Sequence, residues 1–287
     1  YHEVNGRGIE LLRAAGVKVD VGLLRHEAIA WHFPFFMHVQ CGRPVFFGKW
    51  AQTLDGHLAD DTGSSQWISG DDARSYTHFL RQKYDAILVG GKTILADSPS
   101  LTVRDAIEPI HRHPIKIVYD PSAHILKKDQ DYLDRFFDQH DLDFRGHLVA
   151  VNPSVVTELR SKLKGKRVLV HGVQGSRDDR LDQFIKWLSS AQVSDFLGRP
   201  LGAVLVEGGP SLLTSLINKE LIDGFHVFVT PGFIGGQSGR IGRKGDETHP
   251  GLGLNDMKRF QLMSSHQFKQ DVLLEFITKS AAQLYFQ

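Results

Sequence analysis

The sequence predicts an α/β fold with a mostly parallel central sheet and helices on both faces. Three observations carry this. Short, continuous apolar runs rich in β-branched residues recur along the chain, the pattern of strands buried on both faces. Amphipathic helical stretches alternate with those runs, which favours parallel strands joined by helical crossovers. Over 287 residues, 41% are apolar and 23% charged, an ordinary globular balance in a length that holds one large domain or two small ones.

The elements follow in order. Gly6 to Gly16 reads as a helix and Val17 to Val21 as one alternating strand. A lone helix and strand bury no core of their own, so residues 1–40 are expected to be the remnant of a preceding domain. Val45 to Phe47 begins a strand leading into Lys49, which is placed at the strand end. Ser69 followed by Asp72 resembles a capping box. Behind it, Ala73, Tyr76, Leu80 and Tyr84 repeat at helical spacing. Ala86 to Val89 is a strand stopped by Gly90 and Gly91, and Ile115 to Tyr119 is the next. Residues 123–146 are charged and poorly patterned, and are expected to be an insertion on the sheet's rim with a short helix at Tyr132 to Phe137. Strands at His147–Val151, Arg167–His171, Ala203–Glu207, Val227–Val229 and Val272–Ile277 complete the sheet. Helices lie between them at Val155–Leu163, Leu181–Leu188 and Leu212–Ile217, the last preceded by Gly208-Gly209-Pro210 with proline where a first helical turn tolerates it. The chain opens on Tyr1 and ends Leu284-Tyr285-Phe286-Gln287. That ending matches what an engineered protease site leaves, so residues 280–287 are set aside as a tag scar.

Several function classes fall away. Lys and Arg total 34 against 33 Asp and Glu, a net charge of +1, without the basic excess of a nucleic-acid partner. The single cysteine, Cys41, allows neither a disulfide framework nor a multi-cysteine zinc site, and fits a reducing compartment. No apolar run approaches the ~18 residues of a membrane span, and no signal-peptide pattern opens the chain. A cytoplasmic protein without a membrane partner is expected.

Two stretches are dense in candidate chemistry. Lys49-Trp-Ala-Gln-Thr-Leu-Asp-Gly56 puts a lysine before an Asp-Gly turn, and Ser64 to Ser69 then open a helix that carries Arg81. Arg104 follows the next strand. In open α/β sheets ligands sit beyond the carboxyl ends of the strands, so Lys49, Arg81 and Arg104 would converge there on a phosphate. They would serve equally as a solvated lysine and two structural ion pairs. Val206-Glu-Gly-Gly-Pro-Ser-Leu-Leu213 is a strand, a glycine pair and a helix start, an arrangement that lets a pyrophosphate approach free amides or simply makes a tight turn. Ala86 to Thr93 nearly matches a phosphate loop but lacks its first glycine, and Ile87 to Val89 read as strand instead. Gly232 to Gly245 is either a mobile active-site loop or a solvent loop. His111-Arg112-His113 lacks a third metal ligand, and Cys41 lacks a base. No metal site is expected.

Gly42-Arg-Pro44, Lys49-x-Ala-x-Thr-Leu-Asp-Gly56, Trp67-Ile-Ser-Gly70, Thr93-Ile-Leu-Ala-Asp97-x-Pro99-x-Leu-Thr-Val-Arg104, Val206-Glu-Gly-Gly209 and Thr230-Pro-Gly-Phe-Ile-Gly-Gly236 occur here in one order. On these motifs residues 41–279 resemble the reductase domain of the bacterial bifunctional riboflavin-biosynthesis deaminase/reductase. Residues 4–40 resemble the end of its cytidine-deaminase-like domain. The zinc signature H-x-E with P-C-x-x-C is absent, so zinc is expected only in a deaminase domain that this chain lacks.

The resemblance implies a dihydrofolate-reductase-like fold, NADPH as cofactor, and reduction of 5-amino-6-(5-phospho-D-ribosylamino)uracil to its ribitylamino form. It implies a small phosphorylated pyrimidine as partner and a homo-oligomer. Carried over by position, Lys49, Ser65, Arg81, Leu101, Arg104 and Glu207 would contact substrate, with Lys49 and Glu207 the catalytic pair and the two arginines on the 5′-phosphate. Ala51, Trp67, Thr93, Asp97 and Gly209, Pro210, Ser211, Leu212, Leu213, Thr214 and Ser215 would contact the cofactor, the amides of Gly209 to Leu212 meeting its pyrophosphate. Gln52 departs from the family's small residue. Pro121 departs from a hydroxyl residue near the adenosine end, and Lys127 or Lys128 is the expected substitute for that grip. Two other readings stay open: the same fold acting on another substrate, and a catalytically silent nucleotide-binding domain.

Overall fold

The computed structural model describes residues 6–105, 107–110, 112–138, 144–236, 241 and 254–286. Nine strands form one sheet: β1 (Val45–Thr53), β2 (Ala86–Gly90), β3 (Ile115–Asp120), β4 (His147–Val151), β5 (Val168–Gly172), β6 (Ala203–Val206), β7 (Gly224–Thr230), β8 (Phe260–Phe268) and β9 (Asp271–Thr278). Their order is β5-β4-β3-β2-β6-β1-β7-β9-β8. The first seven in the chain run parallel. Only the β9–β8 hairpin is antiparallel to its neighbours. The helices are α1 (Arg7–Ala14), α2 (Arg25–Cys41), α3 (Asp71–Lys83), α4 (Gly91–Asp97), α5 (Gln130–Phe136), α6 (Val156–Lys162), α7 (Arg177–Leu188), α8 (Ala191–Leu197), α9 (Pro210–Asn218) and α10 (Lys279–Phe286).

Successive strand side chains point to opposite faces, and both faces are covered, as the continuous apolar runs require. On one face Phe47, Ile87, Val118 and Val149 meet α2 through α6 and α10. On the other Phe46, Leu88, Ile117 and Leu148 meet α7, α8 and α9. The predicted α/β architecture is what the chain forms, with each predicted strand except Val17–Val21 in place.

Residues 17–22 form no strand; α2 follows instead. Its signal was hidden because apolar residues surround the helix and Pro34 lies inside it. Ile29, Phe33 and Met37, spaced four apart, are buried on the sheet, and the Phe33 and Phe47 rings lie 6.1 Å apart. The stretch set aside at the C-terminus is also helical: Ala281 of α10 is fully buried and α10 packs on α2.

Three further expectations change. Strand β1 continues past Phe47 because its polar half pairs with β7 through Thr53 opposite Thr230, so Lys49 is mid-strand. Ser69 does not cap α3; Gly70 holds the N-cap position, and its amide donates to Asp271 Oδ2 at 2.7 Å. A remote carboxylate at a helix start does the work of a local cap. The described part of the 123–146 insertion is core rather than rim: Ile125, Leu133 and Phe137 are fully buried and Tyr132 and Phe136 nearly so. Residues 139–143 of it lie outside the described part. Strand β8 was not predicted because it alternates weakly and lies at the sheet's edge, mostly exposed.

Candidate active site

Two grooves open beyond the carboxyl ends of the central strands. There the strand order turns back, with β6 inserted between β2 and β1, the place where open α/β sheets bind ligands. They meet at Gly208 and Gly209, which line one groove each.

The first groove encloses about 290 Å³. Lys49 and Ala51 rise from β1, Glu207 follows β6, and Ser65 and Trp67 come from the loop before α3. Helix α3 contributes Arg74, Thr77, His78 and Arg81, and Arg104 closes the side. The three- and four-residue spacing of those helical positions makes one polar stripe, a signal from which Arg74 and His78 were readable but were not picked out.

Arg81 is held by its neighbours. Its Nε and one Nη donate to the two Glu207 oxygens at 2.7 and 2.8 Å, and the other Nη donates to the Thr102 carbonyl at 2.8 Å. Such a bidentate fork is the strong form of a carboxylate ion pair. Burial alone would raise the Glu207 carboxyl, but the attraction and hydrogen bonds of Arg81, with Lys49 and His78 beyond, hold it down at about 2. His78 is pushed down to about 4 by burial and then by Arg81 and Arg104, so its ring is neutral at ordinary pH. Burial lowers the Lys49 ammonium, with Glu207 opposing and Arg81 assisting. Lys49 Nζ lies 5.5 Å from the centre of the Phe228 ring. Among the described residues it has no hydrogen-bond or ion-pair partner. Arg104 is exposed, with one Nη donating to Ser100 Oγ at 2.8 Å.

The motif after Lys49 is architectural. Asp55 accepts from the Gly235 amide at 2.8 Å and from the Thr53 hydroxyl at 2.5 Å, pinning the start of the glycine-rich tract; residues 237–240 and 242–245 of that tract lie outside the described part. Gln52 accepts from the Trp50 indole at 2.7 Å.

The second groove encloses about 390 Å³. Its walls are Gly90 to Thr93 at the start of α4, Tyr119 to Ser122 after β3, Gly209 to Leu212 and Ser215 of α9, and Arg177 and Arg180 of α7. Gly91 begins α4 directly after β2, leaving no loop to wrap phosphates, as the missing first glycine predicted. A Cβ at Gly91 would fall 1.9 Å from Asp120 Oδ1. The start of α9 offers fewer amides than expected. The Gly209 amide donates to Thr93 Oγ1 at 3.1 Å, Pro210 has none, and the Leu212 amide turns back to the Gly209 carbonyl. The Ser211 amide remains, beside the Ser211 and Ser215 hydroxyls. This glycine-flanked groove is mostly apolar in its lining, with Lys92, Arg177 and Arg180 as cationic side chains, and fits a dinucleotide whose phosphates meet the cations.

The sequence-derived set divides between the grooves. Lys49, Ser65, Arg81, Arg104 and Glu207 share the first, joined by Ala51 and Trp67, which were assigned to the cofactor. Thr93, Gly209, Pro210, Ser211, Leu212 and Ser215 line the second. Leu213 and Leu101 are buried in the core, and the Thr214 hydroxyl donates to the Pro210 carbonyl. Asp97 ends α4 on the surface and lines neither groove. Lys127 and Lys128 line neither; Lys128 Nζ donates to the Leu95 carbonyl at 2.9 Å and to Ser98 Oγ at 2.6 Å. His111 lies outside the described residues, and His113 accepts from the Val103 amide. Among the described residues no three acidic, histidine or cysteine side chains are grouped to hold a metal, and no helix is long and apolar enough to cross a membrane.

The profile of the RibD C-terminal domain matches residues 44–274. The chain belongs to the RibD C-terminal domain family. It is 32% identical over 240 residues to the riboflavin biosynthesis protein RibD of Aquifex aeolicus, covering 81% of this chain and 59% of that protein. It is 30% identical over 279 residues to the RibD of Actinobacillus pleuropneumoniae, covering 96% of this chain and 68% of that one. This RibD-family chain thus spans about three-fifths to two-thirds of those relatives. It also resembles the solved structure of a Thermotoga maritima diaminohydroxyphosphoribosylaminopyrimidine deaminase/5-amino-6-(5-phosphoribosylamino)uracil reductase. There the TM-score is 0.70 at 25% identity, over 96% of this chain and 68% of that one. Acinetobacter baumannii RibD shares the fold, with a TM-score of 0.72 at 24% identity over 95% of this chain and 68% of that one.

Proposed function

We propose that this RibD C-terminal domain catalyses the NADPH-dependent reduction of 5-amino-6-(5-phospho-D-ribosylamino)uracil to the ribitylamino product in riboflavin biosynthesis. One observation carries the reading: an unpaired lysine, an Arg–Glu pair and an exposed arginine converge in a groove that opens, at a glycine pair, onto a second groove suited to a dinucleotide.

The chemistry assigns roles to these groups. The exocyclic nitrogen of the substrate expels the ring oxygen from C1′, giving an iminium at C1′ and requiring a proton on that oxygen. Lys49 is the proton donor: burial lowers the pKa of its ammonium form, which makes that form a better acid than a solvated lysine. NADPH held by Thr93, Gly209 and Ser211 in the second groove would supply the hydride for C1′. Arg104 binds the 5′-phosphate, supported by the one Arg81 N–H that Glu207, Thr102 and His78 leave over; a guanidinium suits phosphate oxygens. The Glu207 carboxylate, kept ionised and fixed in place by Arg81, accepts hydrogen bonds from the ribose hydroxyls. Thr93 fixes the Gly209 turn and the Ser211 amide and hydroxyl face the pyrophosphate.

The test is loss of NADPH absorbance on adding the ribosylaminouracil phosphate to wild type, Lys49→Ala and Arg104→Ala. The expected result is turnover in wild type, loss of kcat in Lys49→Ala and a raised KM in Arg104→Ala. NADPH binding without turnover of this substrate in wild type would overturn the substrate assignment.

A further inference from the structure

The arginines at the start of α7 were singled out by no sequence motif, yet both line the second groove. Ser176 caps this helix: its hydroxyl accepts from the Asp179 amide at 3.2 Å while the Asp179 carboxylate accepts from the Ser176 amide at 3.0 Å. This capping box fixes where the first turn projects. Arg177 is occupied. Its Nε and one Nη donate to Ser215 Oγ at 3.1 and 2.6 Å, and the same Nη reaches Ser211 Oγ at 2.9 Å. It is a strap between α7 and the start of α9.

Arg180 is one turn further along, and its guanidinium meets the Tyr119 hydroxyl. Its Nε is buried with no hydrogen-bond partner among the described residues. Contact with Tyr119 sets Arg180 by the end of β3, where Pro121 and Ser122 line the same groove. Pro121 brings neither hydroxyl nor amide there. The carboxylate on that wall, Asp120, is taken up by the Ile125 amide at 2.7 Å and His124 Nδ1 at 3.0 Å.

We infer that Arg180, held in place by Ser176, Asp179 and Tyr119, is the residue that reads the adenosine 2′-phosphate and sets the preference for NADPH over NADH. The inference rests on the cofactor reading above. An arginine at the adenosine ribose is the usual means of accepting a 2′-phosphate where an acidic residue would select the free hydroxyl, and one charge-assisted fork is worth roughly 10- to 100-fold in affinity. Lys92 also lines the groove, from the first turn of α4.

The experiment is titration of NADPH and NADH, by nucleotide fluorescence, into wild type, Arg180→Ala, Arg180→Lys and Lys92→Ala. Arg180→Ala is expected to weaken NADPH binding roughly 10- to 100-fold while leaving NADH within about twofold, with Arg180→Lys recovering part of the difference. Equal weakening of both nucleotides in Arg180→Ala, no weakening of either, or loss of discrimination only in Lys92→Ala would each overturn the inference. Wild type that binds neither nucleotide would instead overturn the cofactor reading, so the two failures are distinct. Circular dichroism of the variants guards against reading a folding defect as a binding effect.

Discussion

Glu207 and Arg81 set the charge of the first groove, and each depends on the other. Removing one partner of a buried ion pair leaves the other uncompensated, at about 3–5 kcal/mol. Arg81→Ala is therefore expected to lower stability by about that much in urea unfolding, and Glu207→Gln by clearly less. The pair also has a pH signature. Glu207 is lowered to about 2 from its ordinary 4.5, so its contribution is complete above about pH 5 and is lost as pH falls through the folded value. Stability should decline from about pH 4.5 towards pH 2, less steeply in Glu207→Gln. Lys49 has a kinetic signature instead. As the proposed proton donor it would work only while protonated, and burial lowers its pKa. The kcat profile of wild type should lose activity at a pH below the ordinary lysine range of about 10.4. A pH profile with no such limb would exclude Lys49 as the acid. At this scale Lys49, Arg81, Arg104 and Glu207 were legible through the family resemblance, since spacing alone left them equally readable as structural charges and placed Lys49 at a strand end rather than mid-strand. Leu101 and Asp97 were not separable, because sequence position does not say which way a loop residue or a helix end faces. Arg180 was invisible because the groove residues at 90–93 and 119–122 lie far from it along the chain.

Helix α5 shows what a charged, unpatterned stretch can conceal. Its apolar residues are buried, and its C-terminal carbonyl at Phe136 accepts from Lys116 Nζ on β3. A lysine in the middle of a buried strand run reads as a break in the apolar pattern, yet here it ties an inserted helix to the sheet. Burial lowers Lys116 to about 8, beneath the unfolded value of about 10.4. Between those values the unfolded chain binds more protons, so stability should rise with pH from about 8 to about 10. Lys116→Met should abolish that rise; urea midpoints for both proteins across this range are the check. An unchanged slope in the variant would assign the pH dependence elsewhere. Strand β8 and helix α2 were missed for related reasons: one is an exposed edge with little alternation, the other is apolar on too many sides to show a stripe.

For the whole molecule, the parallel sheet and its strand order place β1, β2 and β6 side by side, which is why residues from 49 to 215 meet at two joined grooves. The alternation of strand and helix made that architecture readable; the placement of residues 25–41 on the sheet was not, since it depends on long-range contacts such as Phe33 with Phe47. Phe33→Ala should cost about 3 kcal/mol of stability, measured by urea unfolding. It should leave nucleotide binding unchanged, since Phe33 lines neither groove. The central claim is that the grooves bring a nicotinamide to C1′ of a phosphoribosylamino pyrimidine. The direct measurement is a single turnover with NADPH deuterated at nicotinamide C4, followed by NMR of the product. Our account predicts one deuterium at C1′ of a ribitylamino product. Cofactor oxidation without a reduced sugar, or a reduced sugar carrying no deuterium at C1′ from either labelled C4 epimer, would contradict it.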